Sequence, residues 1–210
     1  MGNSLCCKSN SIDLQQANPK DLTLKSDMDK AKKVGLIERG PQELENGVVY
    51  TGQWKDGKQS GFGVETQPDG TIYEGDFENG KKHGKGTLKL PDGSVYVGEF
   101  QNDCKHGKGV LTYPDNRKYD GEWQNDLMHG FGTFSWDDGR EYIGQYVDDK
   151  KQGQGEFTWP DGRSYNGGWF NGKQHGKGIY STRQAGDQYG VWEDGKRQKW
   201  IDQKEFEEQS

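Results

Sequence analysis

The sequence predicts an all-β protein, an elongated single-layer antiparallel β-meander of 23-residue β-hairpin repeats with a flexible N-terminal tail and a short C-terminal capping helix. Three observations predict it. A Tyr-led pattern begins at Tyr50, Tyr73, Tyr96, Tyr119, Tyr142 and Tyr165, always 23 residues apart. An aromatic holds the fifth place of each unit, at Trp54, Phe77, Phe100, Trp123, Tyr146, Trp169 and Trp192. Gly-x-Gly and then Asp-Gly follow at constant phase, as in Gly84-Lys85-Gly86 and Asp92-Gly93. A period of this length marks stacked units, each of which buries its apolar face only against its neighbours.

The order along the chain gives three segments: a tail over 1–45, an array over 46–197, and a cap or tail over 198–210. Asn46-Gly47 stands where a preceding unit would carry Asp-Gly, so the array opens on a fragment. At its other end Gly190, Trp192, Gly195 and Lys196 keep the register, but Gln188 replaces the leading Tyr and Lys199 and Ile201 replace the two glycines. The array therefore closes on a half unit. Beyond it, Asp202-x-x-Glu205 has the form of a helix start and carries Phe206, which suits a short capping helix.

Within one unit the turn dipeptides tolerate positive φ, and the residues between turns alternate. Counting the Tyr as place 1, rings fall at places 1 and 5 while places 2 and 4 are mostly polar, as in Glu74 and Asp76. One face is expected to be apolar and the other wet. A two-residue turn at places 8 and 9 pairs place p with 17 minus p, which sets the fifth-place ring opposite the first Gly of Gly-x-Gly. It also pairs Asp76 with Lys85 and Glu99 with Lys108. About thirteen strands at roughly 4.8 Å spacing then form a ribbon on the order of 60 Å long, with two edges open to pairing unless covered.

The stretch Tyr73-Glu74-Gly75-Asp76-Phe77-Glu78-Asn79-Gly80-Lys81-Lys82-His83-Gly84-Lys85-Gly86, followed by Asp92-Gly93, resembles the MORN repeat (membrane occupation and recognition nexus). The resemblance covers residues 46 to about 197. It implies a β-meander that acts as a scaffold or targeting module, as in junctophilins, plant phosphatidylinositol phosphate kinases and protist cytoskeletal scaffolds.

Composition sets limits on function. Only 28% of residues are hydrophobic and 30% are charged, values that suit disorder, yet aromatics reach 12% and stand at fixed phase. Residues 1–42 hold seven Lys/Arg against five acids, a balance of +2, which leaves −8 for the rest of a chain whose net charge is −6. Nucleic acid is excluded as a partner on that ground, because phosphate binding needs a basic face. Three cysteines, two of them adjacent, form no disulfide framework, and the absence of a secretory signal or apolar span points to the cytosol. That placement disfavours a secreted, aromatic-rich glycan binder.

The first residues, Met1-Gly2-Asn3-Ser4-Leu5-Cys6-Cys7-Lys8, suit an acylated anchor. Gly2 meets the requirement for N-myristoylation, although Cys6 stands where the motif has Ser or Thr. A single myristoyl chain binds membranes only marginally, so a second signal is needed, and palmitate on Cys6 and Cys7 supplies it. Residues 9–45 then read as a tether, with a short helix from Ser26 to Lys33. About 40 flexible residues span on the order of 35 Å.

Several chemistries are tempting. His83, His106, His129 and His175 share place 11, but equivalent places lie about 9 to 10 Å apart, too far to share one zinc ion. Four P-loop-like strings, such as Gly75 to Lys81, lack the following Ser or Thr that magnesium requires. Cys104 reads as a lone surface thiol beside Lys105. No metal, cofactor or catalytic set is expected. The expectation is a nonenzymatic scaffold at the cytosolic face of a membrane or membrane-associated cytoskeleton, recruiting a protein partner or itself. The alternatives are a phosphoinositide headgroup module using Lys81, Lys82 and Lys85, or a regulatory subunit of an enzyme.

Overall fold

Each 23-residue unit folds as two strands because its two turns fold locally. At the first, Asn79-Gly80 adopts positive φ at both positions (53° and 85°), and Asp56-Gly57, Asn102-Asp103, Asn125-Asp126, Asp148-Asp149, Asn171-Gly172 and Asp194-Gly195 do likewise. This is the type I′ geometry whose twist suits a two-residue hairpin. At the second, Pro91-Asp92-Gly93 closes through Gly93 N–H to the Leu90 carbonyl (3.0 Å), and Asp92 Oδ1 accepts from Ser94 N–H (2.8 Å).

The computed structural model describes residues 35–208. Cα packing separates residues 1–37 from a compact unit, Glu38–Ser210, and the repeats all belong to that second unit. The expected lipidation sites Gly2, Cys6 and Cys7, and the short helix from Ser26, lie outside the described residues.

Among the described residues, fifteen strands form one open sheet in strict sequence order. They are β1 (Ile37–Glu43), β2 (Val49–Lys55), β3 (Lys58–Thr66), β4 (Ile72–Glu78), β5 (Lys81–Lys89), β6 (Val95–Gln101), β7 (Cys104–Thr112), β8 (Lys118–Gln124), β9 (Leu127–Ser135), β10 (Glu141–Val147), β11 (Lys150–Thr158), β12 (Ser164–Phe170), β13 (Lys173–Thr182), β14 (Gly186–Glu193) and β15 (Lys196–Trp200), followed by helix α1 (Gln203–Glu207). The meander of 23-residue hairpins is thus as expected, with two strands more than the thirteen counted from the repeats. The first comes from the stretch assigned to the tail: Gly40 on β1 stands 23 residues before Gly63, a phase signal that marks the half unit.

The register differs from the expected one in a specific way. Far from the turn, Tyr73 pairs with Leu88 and Gly75 with Gly86, as 17 minus p requires. Next to the turn, Phe77 pairs with Lys82 and Glu78 with Lys81. The turn occupies places 7 and 8, and a β-bulge absorbs the two-residue difference at the first Gly of Gly-x-Gly, where Gly84 takes φ of 61°. Between successive repeats no bulge intervenes, and there the 17-minus-p rule holds throughout: Gly84 faces Phe100 and Lys85 faces Glu99. The fifth-place ring therefore stands opposite the first Gly of the preceding repeat, not its own. The expected pairs Asp76–Lys85 and Glu99–Lys108 are corrected to Lys85–Glu99 and Lys108–Glu122. Asp76 does something else: its Oδ2 accepts from the Lys85 main-chain N–H at 3.0 Å, inside the bulge.

The core is one layer of rings. Trp54, Phe77, Phe100, Trp123, Tyr146, Trp169 and Trp192 are buried, and so are the six leading tyrosines. Each Tyr touches the fifth-place ring of its own repeat and of the next, edge to face. Tyr73 lies 5.1 Å from Phe77 and 4.9 Å from Phe100, and the alternation runs unbroken from Trp54 to Trp192. Such pairs contribute about 0.5 to 1.5 kcal/mol each beyond burial, so a chain poor in aliphatics still holds a cooperative core. The opposite face is less uniformly polar than the alternation suggests, since Phe62, Val97, Phe131 and Ile143 stand exposed on it.

Helix α1 forms where expected, with Asp202 Oδ1 accepting from Glu205 N–H (2.8 Å). Phe206 packs 5.1 Å from Tyr189 of β14, while Lys177 Nζ donates to the carbonyls of Glu205 and Phe206. Tyr189 and Lys177 sit at places 2 and 13, so the helix covers the face opposite the rings.

Candidate functional site, the aromatic face

A row of glycines makes the ring layer work. Places 3 and 14 pair with each other across every strand from β2 to β14, as in Gly75 with Gly86 and Gly86 with Gly98. A Cβ on Gly75 would come 2.5 Å from the Gly86 Cα, and one on Gly86 would meet the ring of Tyr73. The leading Tyr thus lies flat over the bare backbone of its own hairpin. Its hydroxyl donates to the carbonyl at place 4, with distances of 2.9, 2.8, 2.9, 2.9, 3.1 and 3.0 Å from Tyr50 to Tyr165. That carbonyl lies at the bulge, where the ladder is interrupted, and a buried polar group left unpaired is costly. Tyr, rather than Phe, is the residue that fits.

Turns stitch neighbouring repeats together. Asp103 N–H donates to the Lys82 carbonyl (3.0 Å), and Asp103 Oδ1 accepts from Lys82 N–H (2.9 Å). Asp126 and Lys105, and Asp149 and Met128, repeat the clasp.

Beside the buried rings runs a second strip on the same face, at places 16 and 18: Phe134 and Phe157 are buried, while Tyr113, Trp136 and Trp159 are half-buried. Arg117, Arg140 and Arg163 lie over Tyr113, Trp136 and Trp159 at 4.8, 5.3 and 5.6 Å, each held by an Asp two residues earlier at 2.7 Å. Between the two strips is a cavity of about 230 Å³ lined by Met128, Phe134, Trp136, Tyr146, Asp149 and Lys151, among others. Lys151 Nζ is 4.5 to 5.1 Å from the centroids of Trp136, Tyr142, Phe157 and Trp169. Burial, with a smaller contribution from Arg140, pulls its ammonium down to about 8. Repetition marks the ring columns in the sequence, but nothing local marks this cavity, which needs Lys151 folded back over rings from three repeats.

The three lysines singled out as headgroup contacts do not converge. Lys82 lies on the ring face, 2.7 Å from Glu65 Oε1 and 5.5 Å from the Tyr73 centroid. Lys85 is exposed on the opposite face, across from Glu99, and Lys81 is exposed at the turn. Histidines line two recesses of about 450 and 460 Å³ on that opposite face. Among the described residues no three His, Cys, Asp or Glu side chains gather as metal ligands would. The Cys104 thiol is pushed up by burial and by Asp126, the reverse of an activated nucleophile. The Gly75 to Lys81 string spans the β4–β5 turn, not a strand-to-helix loop. No helix among the described residues is long and apolar enough to cross a membrane.

No curated protein matches the chain. Among solved structures it is similar to the TCP domain of Drosophila melanogaster SAS-4 (dCPAP) in complex with a proline-rich motif of Ana2, at 11% identity and a TM-score of 0.45, covering 91% of this chain and 99% of that one. It is also similar to the wild-type TCP10 domain of Danio rerio CPAP in complex with a STIL peptide, at 18% identity and 0.39, covering 75% and 71%. The MORN repeat model matches six times, at residues 50–72, 73–95, 96–116, 119–139, 142–162 and 165–183, the same units that the rings and glycines delimit. The chain belongs to the MORN repeat family.

Proposed function

We propose that this protein is a nonenzymatic, lipid-anchored scaffold. Acyl chains on Gly2, Cys6 and Cys7 hold it to the cytosolic face of a membrane, and the ring-lined sheet recruits a protein partner or a second copy. Membership of the MORN repeat family supports a membrane-associated or protein-binding role. The observation that carries the recruiting half is the outer aromatic strip, where Tyr113, Trp136 and Trp159 stand partly exposed although the inner rings already close the core. The anchoring half rests on the N-terminal sequence and on the two-chain requirement for stable attachment.

Membrane flotation of the full chain tests the anchor. The native protein should float, and Gly2→Ala, or Cys6→Ser with Cys7→Ser, should move it to the soluble fraction. Full retention of both variants would end the anchor reading. Direct headgroup binding by the array is the weaker alternative, because Lys82 is engaged by Glu65 and lies on the opposite face from Lys85. Salt-sensitive liposome binding by residues 35–210, which keep β1 and lack the acylation sites, would favour it.

A further inference from the structure

We propose that the groove between the two ring strips docks a proline-rich polypeptide in the polyproline II conformation, running across the strands. This rests on the protein-recruiting half of the proposed function and names the chemistry of the partner.

Pitch is the first argument. Tyr113, Trp136 and Trp159 occupy the same place in successive repeats, two strands apart, so they recur every ~9.4 to 9.8 Å. A polyproline II helix turns once every three residues at ~3.1 Å each, or about 9.3 Å. Every third residue of such a segment meets an equivalent ring. An extended strand takes a similar three-residue step but flips its side chains at each odd step, and an α-helix with its 5.4 Å pitch falls out of phase. The rings are also held ready, each clamped by an arginine that an aspartate fixes.

Hydrogen-bonding chemistry is the second, and it is independent of pitch. The groove presents a donor that has no acceptor among the described residues. Lys151 Nζ makes no hydrogen bond or ion pair among the described residues, only its four ring contacts. Tyr146 lines the same cavity as well, but its hydroxyl is buried and out of reach of a docked chain, so Lys151 is the donor that counts. The carboxylate beside them, Asp149, is already accepting from Met128 N–H at 2.8 Å. A polyproline II segment has the matching surface, since its carbonyls find no partner within the helix and proline brings no N–H that seeks an acceptor. Proline rings pack on aromatic faces, as in other grooves that read this conformation.

The test is calorimetric titration of the full chain with decaproline, with a Gly-Ser decapeptide and an amphipathic Leu-Lys helical peptide as comparators. Saturable binding of decaproline alone is expected, weakened about tenfold or more by Trp136→Ala and by Lys151→Ala, the order of a lost hot-spot contact. Phe62→Ala, on the opposite face, should leave binding unchanged. Circular dichroism checks that each variant folds, and Lys151→Ala stands as the test if Trp136→Ala does not. No saturable binding of decaproline, preference for the helical peptide, or indifference to both groove variants overturns the proposal. Flotation of the same preparation reads the anchor separately. Binding of the helical peptide in place of decaproline would spare protein recruitment while sinking the polyproline reading.

Discussion

The Tyr96 hydroxyl donates to the main-chain carbonyl of Glu99, three residues along the same strand, at 2.9 Å. Its ring meanwhile covers Gly98 and Gly109, so that one side chain shields the bare backbone and satisfies the carbonyl that the bulge leaves outside the ladder. Tyr96→Phe keeps the ring and removes the donor. It should cost about 1 to 3 kcal/mol, the penalty of a buried acceptor left unpaired. Urea unfolding measures it, and a cost within error of zero would mean that water replaces the hydroxyl. Tyr142→Phe, two repeats away, should add independently, because distant sites without shared partners add.

Gly109 and Gly57 separate two reasons for glycine. A Cβ at Gly109 would enter the Tyr96 ring, whereas one at Gly57 meets nothing within 4 Å but sits at φ of 77°. Gly57→Ala should cost about 1 to 2 kcal/mol of backbone strain. Gly109→Ala should cost about 3 kcal/mol or more, because the ring it displaces is locked between neighbours. Shrinking the ring in the double variant Gly109→Ala with Tyr96→Leu should recover part of that cost, which unfolding midpoints will show.

Alkali should unfold the sheet through its tyrosines. Burial pushes the Tyr50 phenol up to about 12, and it raises Tyr73, Tyr96, Tyr119, Tyr142, Tyr146 and Tyr165 as well. A group raised in the folded state contributes stability that is complete below its unfolded value and lost as pH climbs toward the folded one. Stability should therefore fall from about pH 10 upward. Tyrosinate absorbance should appear together with loss of the β-sheet signal, in one steep transition. Gradual phenolate titration with the sheet intact would contradict this.

Lys151 should act in the opposite sense. Its folded value of about 8 lies below the ordinary lysine value, so between the two the unfolded chain binds the extra proton and stability gains as pH rises. The native protein should gain stability from pH 8 toward 10 relative to Lys151→Met, which has no proton to lose there. Parallel pH profiles for the two would show that the surrounding rings stabilise the ammonium enough to cancel its desolvation.

Much of the architecture was legible because its causes are local or periodic. Asn79-Gly80 and Asp92-Gly93 declare turns through their tolerance of positive φ, rings at constant phase declare a buried column, and Asp202 with Glu205 declares a helix start. The first turn lies one residue earlier than its sequence suggests, since Asn-Gly and Gly-Lys both form turn pairs when read alone. Asn79-Gly80 wins because it supplies type I′ geometry while the bulge at Gly84 restores the Gly75–Gly86 pairing that every neighbouring strand shares.

By itself the sequence determined the repeat, its phase, the turns and which rings go inside, since each follows from backbone sterics or from burial of the few apolar side chains present. Only the tertiary structure decided which repeat each ring shields, on which face Lys82 and Lys85 stand, and that Lys151 meets rings from three repeats with no carboxylate paired to it among the described residues. Those outcomes depend on strand register, which is set by competition between a turn and its neighbours across the sheet and is invisible to any single unit.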